Sequence, residues 1–446
     1  MKKWQWTLVA LAPIAAVAGA ACSVPDDGSV ISNDDDGSGA GAGDGGAGAT
    51  VGGQGGTSNA VVGSVSAASG QGPGNCNTDP AVDDDGDGFS DDQGDCNDCD
   101  PNTNPDAIEV IGDPGMGTGG GGGAGGGYAA ADENCNGMVD EAPATCDSNL
   151  AGNDTTAASA AKAIDLCQVA GQGQGWGVVN ANYVRANGAA LADAGLSVAL
   201  VSQFGSNAVS QNGAAMLVMS SGNARPLNHP EQCGSQTCTH HGPGTPPPNF
   251  PQDVPGCDGG TNINDDIALE LELKAPSNAT GYSFDFAFMS FEYPEWVCTT
   301  YNDQFIALVS PPPMGAINGN ISFDSLGNPV SVNLALFDHC DPSFQSQFAT
   351  NCFSGNCPTA PSPYCPQGNG FMAGSGFNAW DTFSGSGATG WLQTTAPISA
   401  NETFTIRYAI WDTGDSALDS SVFIDNFSWT AEAGVQVGTG EIPDPR

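Results

Sequence analysis

The chain has 446 residues, of which 50 are Asp or Glu and only 8 are Lys or Arg, for a formal net charge of -42. A surface this acidic repels nucleic acid and anionic lipid, which excludes polynucleotide partners and makes cations its natural small partners. With 64 glycines, 30 prolines and 15 cysteines, the composition is not that of a reduced cytoplasmic enzyme.

Residues 1–21 are expected to be an export signal. Lys2 and Lys3 precede an apolar stretch from Trp6 to Val17 and the small residues Ala18 to Ala21, a layout too short for a spanning helix. Cys22 follows directly and is the candidate lipidation site, with cleavage near Ala21 as the alternative. One lipid-bearing terminus would anchor the chain without a transmembrane segment. Residues 22–75 are Gly, Ala, Ser and Asp with hardly an aromatic, too little apolar surface to offset chain entropy, and are expected to be a disordered tether.

Setting Cys22 aside leaves 14 cysteines, six between Cys76 and Cys167 and eight between Cys233 and Cys365. Each group is even, so an oxidising compartment and pairing within each group are expected, with the connectivity open. Residues 76–145 form an acidic module in which Ile108, Val110, Ile111 and Val139 are nearly the only large aliphatics. A core that thin needs metals, disulfides or both. Gly115 to Gly127 reads as a flexible insertion within it.

The module carries the most specific chemical signal in the chain. Asp83, Asp85 and Asp87 alternate, Gly88 follows, Phe89 offers a carbonyl, and Asp91 comes two residues later. These match positions one, three, five, six, seven and nine of a calcium loop. A hard cation takes six to eight oxygens, alternate residues of a tight turn converge on one point, and glycine permits the bend. The twelfth position is Gly94, not the bidentate glutamate of a helix-flanked sensor, so Asp92 or Asp95 is expected to complete the shell. The spacing recurs at Asp132, Asn134 and Asn136, with Gly137, the Met138 carbonyl, Asp140 and Glu141. Fewer charges there predict weaker binding, and Cys135 is expected to fasten the loop through a disulfide. Asp106 and Glu109 lie nearby as further candidate ligands.

The stretch DDDGDGFSDDQGDCNDCDPNTNPDAIEV, followed by DENCNGMVDE, resembles the MopE-type metal-binding repeat of bacterial surface proteins, and its DxDxDG core resembles thrombospondin type 3 calcium repeats. The family name implies copper. The stretch holds no His and no Trp, so calcium is the preferred cofactor, with copper or zinc as lesser readings.

Residues 146–432 are expected to form a β domain, and residues 433–446 a C-terminal tail. One short helix is predicted over Ala157 to Leu166. After it, alternation dominates: Ile267, Leu269, Leu271 and Leu273 share one strand face opposite Glu270 and Glu272, and Phe284, Phe286 and Phe288 repeat the pattern. Val330, Val332, Leu334 and Leu336 alternate likewise, as do Phe404, Ile406, Tyr408 and Ile410. The fold class is therefore mainly β, an antiparallel β-sandwich or jelly roll preceded by a loop-rich, disulfide- and calcium-stabilised module and a disordered tether.

Within this domain Glu292, Asp303, Asp412, Asp415, Asp419 and Asp425 fall at strand ends or turns. Glu292, Asp303, Asp419 and Asp425 are the candidates for a second metal site, against a reading in which each caps a turn. His229, Cys233, Cys238, His240 and His241 could be written as a zinc set, but a small Cys233–Cys238 disulfide loop is preferred. Trp296, Trp380, Trp391, Trp411 and Trp429 could stack on sugars, though a sandwich of this size needs aromatics in its core.

GTNINDDIALELEL, SFDFAFMSFEYPEWV, YNDQFIALV, ISFDSLGNPVSVN, GATGWLQTTAPI and FTIRYAIWDTGDSALDSSVFIDNFSW together resemble the choice-of-anchor L domain of bacterial surface proteins over about Asp147 to Thr430. That resemblance implies a β-rich extracellular domain with no established catalytic activity. Neither a GxSxG elbow, nor an HExxH pair, nor a phosphate-binding loop is present. The expectation is a non-enzymatic, calcium-binding lipoprotein at the cell surface, anchored in the outer membrane or secreted, whose sandwich serves adhesion, matrix building or recognition of an extracellular glycan or protein. The alternatives are a secreted carboxylate-dependent polysaccharide hydrolase and a copper- or zinc-acquisition protein.

Overall fold

The computed structural model describes residues 79–111, 130–257, 259–294, 296–333, 336–340, 366–378 and 385–442. The export signal, Cys22, the tether, the glycine insertion and Trp380 lie outside the described residues. By contact density the chain divides into residues 1–65 and 66–446, and everything described belongs to the second unit.

One helix, α1 (Ala157–Ala163), opens the β domain, capped by Thr156 Oγ1 accepting from Ser159 N. The strands follow: β1 (Gly177–Val184), β2 (Val198–Val201), β3 (Gln203–Phe204), β4 (Ala208–Val209), β5 (Met216–Ser220), β6 (Ile263–Lys274) and β7 (Gly281–Ser290). After these come β8 (Gln304–Ser310), β9 (Val330–Ser331), β10 (His339–Cys340), β11 (Gly387–Pro397), β12 (Thr403–Thr413), β13 (Ser420–Thr430) and β14 (Gly438–Glu441).

They form two large antiparallel sheets and a separate two-stranded one, β3-β4. The smaller of the large two runs β1-β6-β12-β8-β9; the larger runs β10-β11-β7-β13-β5-β2, with β14 also on β11. Alternation dictates which faces meet. Ile267, Leu269, Leu271 and Leu273 of β6 and Phe404, Ile406, Tyr408 and Ile410 of β12 share one buried cluster with Phe284, Phe286 and Phe288 of β7. The facing sheets interlock through aromatic pairs: Phe284 meets Tyr408 edge-on at 4.9 Å, and Phe286 lies 5.1 Å from Phe305.

The outer faces are covered as well. Phe204, Met216, Met289, Trp391 and Phe423 pack with Met372 and Phe377 outside the larger sheet, and Phe250 with Trp411 outside the smaller. Strands buried on both faces lose the clean alternation of a half-exposed sheet, which is why β7 and β13 are buried over most of their length.

Two stretches depart from the expected elements. Of the strand expected over Val330 to Leu336, Val330–Ser331 pairs with β8 and the Val332 N–H donates to the Asp303 carbonyl just before β8; residues 334–335 lie outside the described residues. In the stretch expected as a tail, β14 pairs with β11 from Leu392↔Glu441 to Thr395↔Gly438.

Disulfides join Cys96–Cys135, Cys146–Cys167, Cys233–Cys238 and Cys257–Cys298, and Cys99 and Cys340 are disulfide-bonded too. The acidic module is stitched to the sandwich. Asn278 accepts from Ile108 N at 2.9 Å and donates back to the Ile108 carbonyl, Ser277 Oγ donates to Asn104 Oδ1 at 2.7 Å, and Asp106 Oδ1 accepts from Gly175 N at 2.7 Å. Asp106 is thus committed to holding the module in place.

Candidate metal centre

The first acidic loop is shaped by its own aspartates. Asp83 accepts from Gly86 N (2.7 Å) and Gly88 N (3.0 Å), Asp85 from Asp87 N (3.1 Å), and Asp87 from Phe89 N (2.8 Å). These side-chain-to-backbone bonds curl the chain into successive Asx turns, with Gly86 and Gly88 at φ 84° and 106° supplying the left-handed bends. The result is convergence: Asp83, Asp85 and Asp87 each bring a carboxylate oxygen within 4.8 Å of the others.

Asp85 also belongs to a second triad on the same criterion, with Asp95 and Asp98. These two arrive through the turn after Gln93, where Asp95 N donates to the Ser90 carbonyl and Asp98 Oδ1 accepts from Asp84 N at 2.9 Å. Asp95 and Asp98 are buried, as is Asn104, whose side-chain amide donates to Asp87 Oδ2 at 2.8 Å. Asp85 Oδ2 and Asp95 Oδ2 are buried and accept no hydrogen bond. Burial, reinforced by the neighbouring carboxylates, pushes Asp85 and Asp95 up to about 6, and burial raises Asp87 as well. Asp91 stands outside both triads, exposed at the start of a 3-10 turn over Asp91–Gln93.

The second loop repeats the turn geometry. Asp132 accepts from Asn136 N (3.0 Å) and Gly137 N (2.8 Å), Asn134 from Asn136 N (3.1 Å), and Asn136 from Met138 N (2.8 Å). Its side chains point their chemistry elsewhere: the amides of Asn134 and Asn136 both donate to Glu141 Oε1, and those bonds hold the Glu141 carboxyl below its ordinary range. Asp140 joins Glu109 and Glu133 in a third triad within 4.8 Å. There Glu109 accepts from Asn134 N and Asp140 N, and Glu133 from Val110 N. The Met138 side chain is exposed.

Glu133 was not legible as a ligand candidate because it lies between the repeat positions. Asp98 also lies outside the calcium-loop positions. The signal for it is the DCNDCD cluster, which the Cys96–Cys135 bond ties to the second loop and the Asp84 N–H to Asp98 bond ties to the first.

In the β domain, Glu292, Asp303 and Asp419 come together with Asp412, whereas Asp425 does not. Asp425 sits inside β13, six residues past Asp419 or roughly 20 Å along a strand. There it accepts from Gln211 N, Asn212 N and Asn426 N. Of the zinc set, Cys233 and Cys238 are consumed in their disulfide and offer no thiolate. Trp391 and Trp411 are buried and Trp296 and Trp429 partly so, which leaves no exposed aromatic row among the described tryptophans.

A family model described as the choice-of-anchor L domain matches residues 162–430. The chain belongs to the choice-of-anchor L family. The match begins within α1 and ends at the last residue of β13, so it takes in both sheets and leaves the acidic module outside it. Membership makes the protein a surface-associated or secreted one. Comparison with curated proteins and with solved structures found no match.

Proposed function

We propose that this choice-of-anchor L protein is exported, is held at the cell surface by a lipid on Cys22, and folds residues 76–145 around calcium. Its sandwich then serves as a non-enzymatic platform for adhesion, matrix building or recognition of an extracellular glycan or protein. The observation that carries the calcium reading is the pair of buried oxygens, Asp85 Oδ2 and Asp95 Oδ2, that lack a hydrogen-bond partner amid two converging carboxylate triads. Burying carboxylate oxygens with no donor is costly, and a divalent cation offsets that cost directly.

The donor set fits calcium. All the ligand atoms are carboxylate oxygens, supplied by Asp83, Asp85, Asp87, Asp95 and Asp98, with the Phe89 carbonyl available. Hard oxygens in a flexible loop suit calcium, while imidazole or thiolate would suit copper or zinc. Resemblance of the DxDxDG core at residues 83–88 to thrombospondin type 3 calcium repeats supports the same reading. When bound, calcium would offset part of the loop's negative charge and tie its start to the Asp95–Asp98 turn.

Calorimetric titration of the folded chain, with calcium, copper and zinc in separate arms, tests the reading. Calcium is expected to bind and to raise the melting temperature. Copper or zinc binding with no response to calcium would replace this reading with metal acquisition. Turnover of a sugar polymer by the purified protein would replace the non-enzymatic assignment.

A further inference from the structure

A second set of acids lies at one pole of the sandwich, where five chain segments end or begin. Asp412 is in the last turn of residues of β12 in the smaller sheet; Asp419 immediately precedes β13 in the larger. Glu292 follows β7, Asp303 precedes β8, and Asp265 lies near the start of β6, at φ 49°. All five are buried, between 0% and 5% exposed.

Their contacts run as a series. Glu292 Oε2 accepts from Asp303 N at 3.4 Å. Asp303 accepts from Thr413 N at 2.9 Å and Ser420 Oγ at 2.6 Å, bridging the two sheets. Asp419 Oδ2 accepts from Cys238 N at 2.9 Å, and Asp265 Oδ1 from His240 N, His241 N and Gly242 N at 2.7–2.9 Å. Asp412 pairs in register with Asn264, the neighbour of Asp265, and burial, followed by the charges of Asp303, Asp419 and Asp265, raises its carboxyl.

Hydrogen bonding leaves four buried oxygens with no partner: both oxygens of Asp412, Asp419 Oδ1 and Asp265 Oδ2. The cations nearby are already engaged, Arg185 with Asp266 and three backbone carbonyls, and Arg225 with Glu231 and two carbonyls.

We propose that this pole is a divalent-cation site in which Asp412 is the central ligand, assisted by Asp303, Glu292, Asp419 and Asp265, and that the cation clamps the two sheets together. Its chemistry is that of a structural calcium site: all-oxygen donors, enclosed, with no histidine or cysteine required. The converging triads of described residues all lie in the N-terminal module, so the pole carboxylates are a row of neighbours and not a closed cage. A cation would draw the row together. Asp412 is central to the row: its carboxyl lies beside Ser221 and Asp303, yet neither of its oxygens makes a hydrogen bond of ordinary geometry. The site also fastens the loop carrying the Cys233–Cys238 disulfide, through Asp419 and Asp265. This composition differs from the set picked out by sequence in replacing Asp425 with Asp412 and Asp265. It stands independently of the N-terminal calcium loop.

The test uses the full chain, with terbium and calcium as probes. Trp411 adjoins Asp412, so terbium at the pole should show tryptophan-sensitised emission that calcium displaces. Asp412→Asn is expected to abolish that emission, to lower the number of bound calcium ions by one, and to remove a calcium-induced rise in melting temperature of about 5 °C. Asp85→Asn, in the N-terminal loop, should leave the sensitised signal in place. If Asp412→Asn fails to fold, Asp419→Asn carries the same expectations. Unchanged ion count and emission in a folded Asp412→Asn would overturn the proposal. So would wild-type protein whose melting temperature and emission do not respond to either ion, which would leave the carboxyls sharing protons instead.

Discussion

The loops around Asp83–Asp87 and Asp132–Asn136 fold alike and are provisioned differently. Both are built from Asx turns in which the first aspartate accepts from residues three to five positions on. In the first, three carboxylates converge and Asp85 Oδ2 is left buried without a donor. In the second, two of the three positions are asparagines whose amides reach Glu141, leaving one carboxylate oxygen, Glu141 Oε2, without a partner. The first loop holds buried carboxylate oxygens without donors, and the second closes largely on itself. Backbone shape alone therefore does not define a cation site; what matters is whether the oxygens it gathers have donors.

Cutting the link between the loops should have the largest effect. The Cys96–Cys135 bond closes 39 residues and ties the first turn to the second loop. Replacing both cysteines by serine should cost about 2–5 kcal/mol. Limited proteolysis should then nick residues 79–141 while β12 and β13 stay protected. Undiminished resistance in the module would show that the bond is not what holds the loops together.

Converting the second loop into the first is the next largest change. Asn134→Asp with Asn136→Asp removes two amide donors and adds two charges beside Glu141. In chelator this should destabilise the module by about 1–3 kcal/mol, and in calcium it should add a bound ion countable by native mass spectrometry. Gaining no ion would mean that the two loops differ in more than their donors.

Buried acids outside the carboxylate triads supply the third comparison: Asp425, whose oxygens accept from three backbone N–H groups, and Asp338, whose Oδ1 has no donor. Burial, followed by the Asp165 charge, pushes Asp425 up to about 8, and burial with the Glu441 charge pushes Asp338 up to about 7. The folded chain keeps protons that the unfolded chain releases near pH 4. Their contribution is therefore full below about pH 4 and is lost as pH rises toward about 8, the reverse of a salt-bridged carboxylate. In chelator the melting temperature should fall by a few degrees between pH 6 and pH 8. Asp425→Asn should flatten that fall, and an unaltered slope would contradict the assignment.

The smallest expected effect is at Gly86. Its counterpart in the second loop is Cys135, which takes φ 56° where Gly86 takes 84°. No neighbour lies within 4 Å of a Cβ at Gly86, so Gly86→Ala should cost only the strain of a left-handed alanine, about 1 kcal/mol by chemical denaturation.

The strands were legible because period-two alternation is a local property: β6 and β12 bury the residues whose spacing announced them. The Cys233–Cys238 loop was legible for the same reason. What stayed hidden required the chain to return on itself. Asp95 was named from the missing twelfth-position glutamate, but Asp98 meets Asp85 only after the intervening turn is closed. Asp265 reads as the start of a strand, and its meeting with Asp412 and Asp419 depends on how two sheets end at one pole. Asp425 looked equivalent to Asp419, but its place within a strand sends it to other partners. Trp391 and Trp411 lie in the core, as expected of a sandwich this size that needs aromatics to fill it.

The most direct measurement of the central claim is calcium titration of the full chain carrying Asp85→Asn, set beside one carrying Asn134→Ala. Each variant removes one side chain from the matching position of a loop. If the first loop is the calcium site, Asp85→Asn should weaken binding by tenfold or more, about 1.4 kcal/mol, while Asn134→Ala leaves that binding in place. Equal losses in the two variants, or no loss in Asp85→Asn, would contradict it.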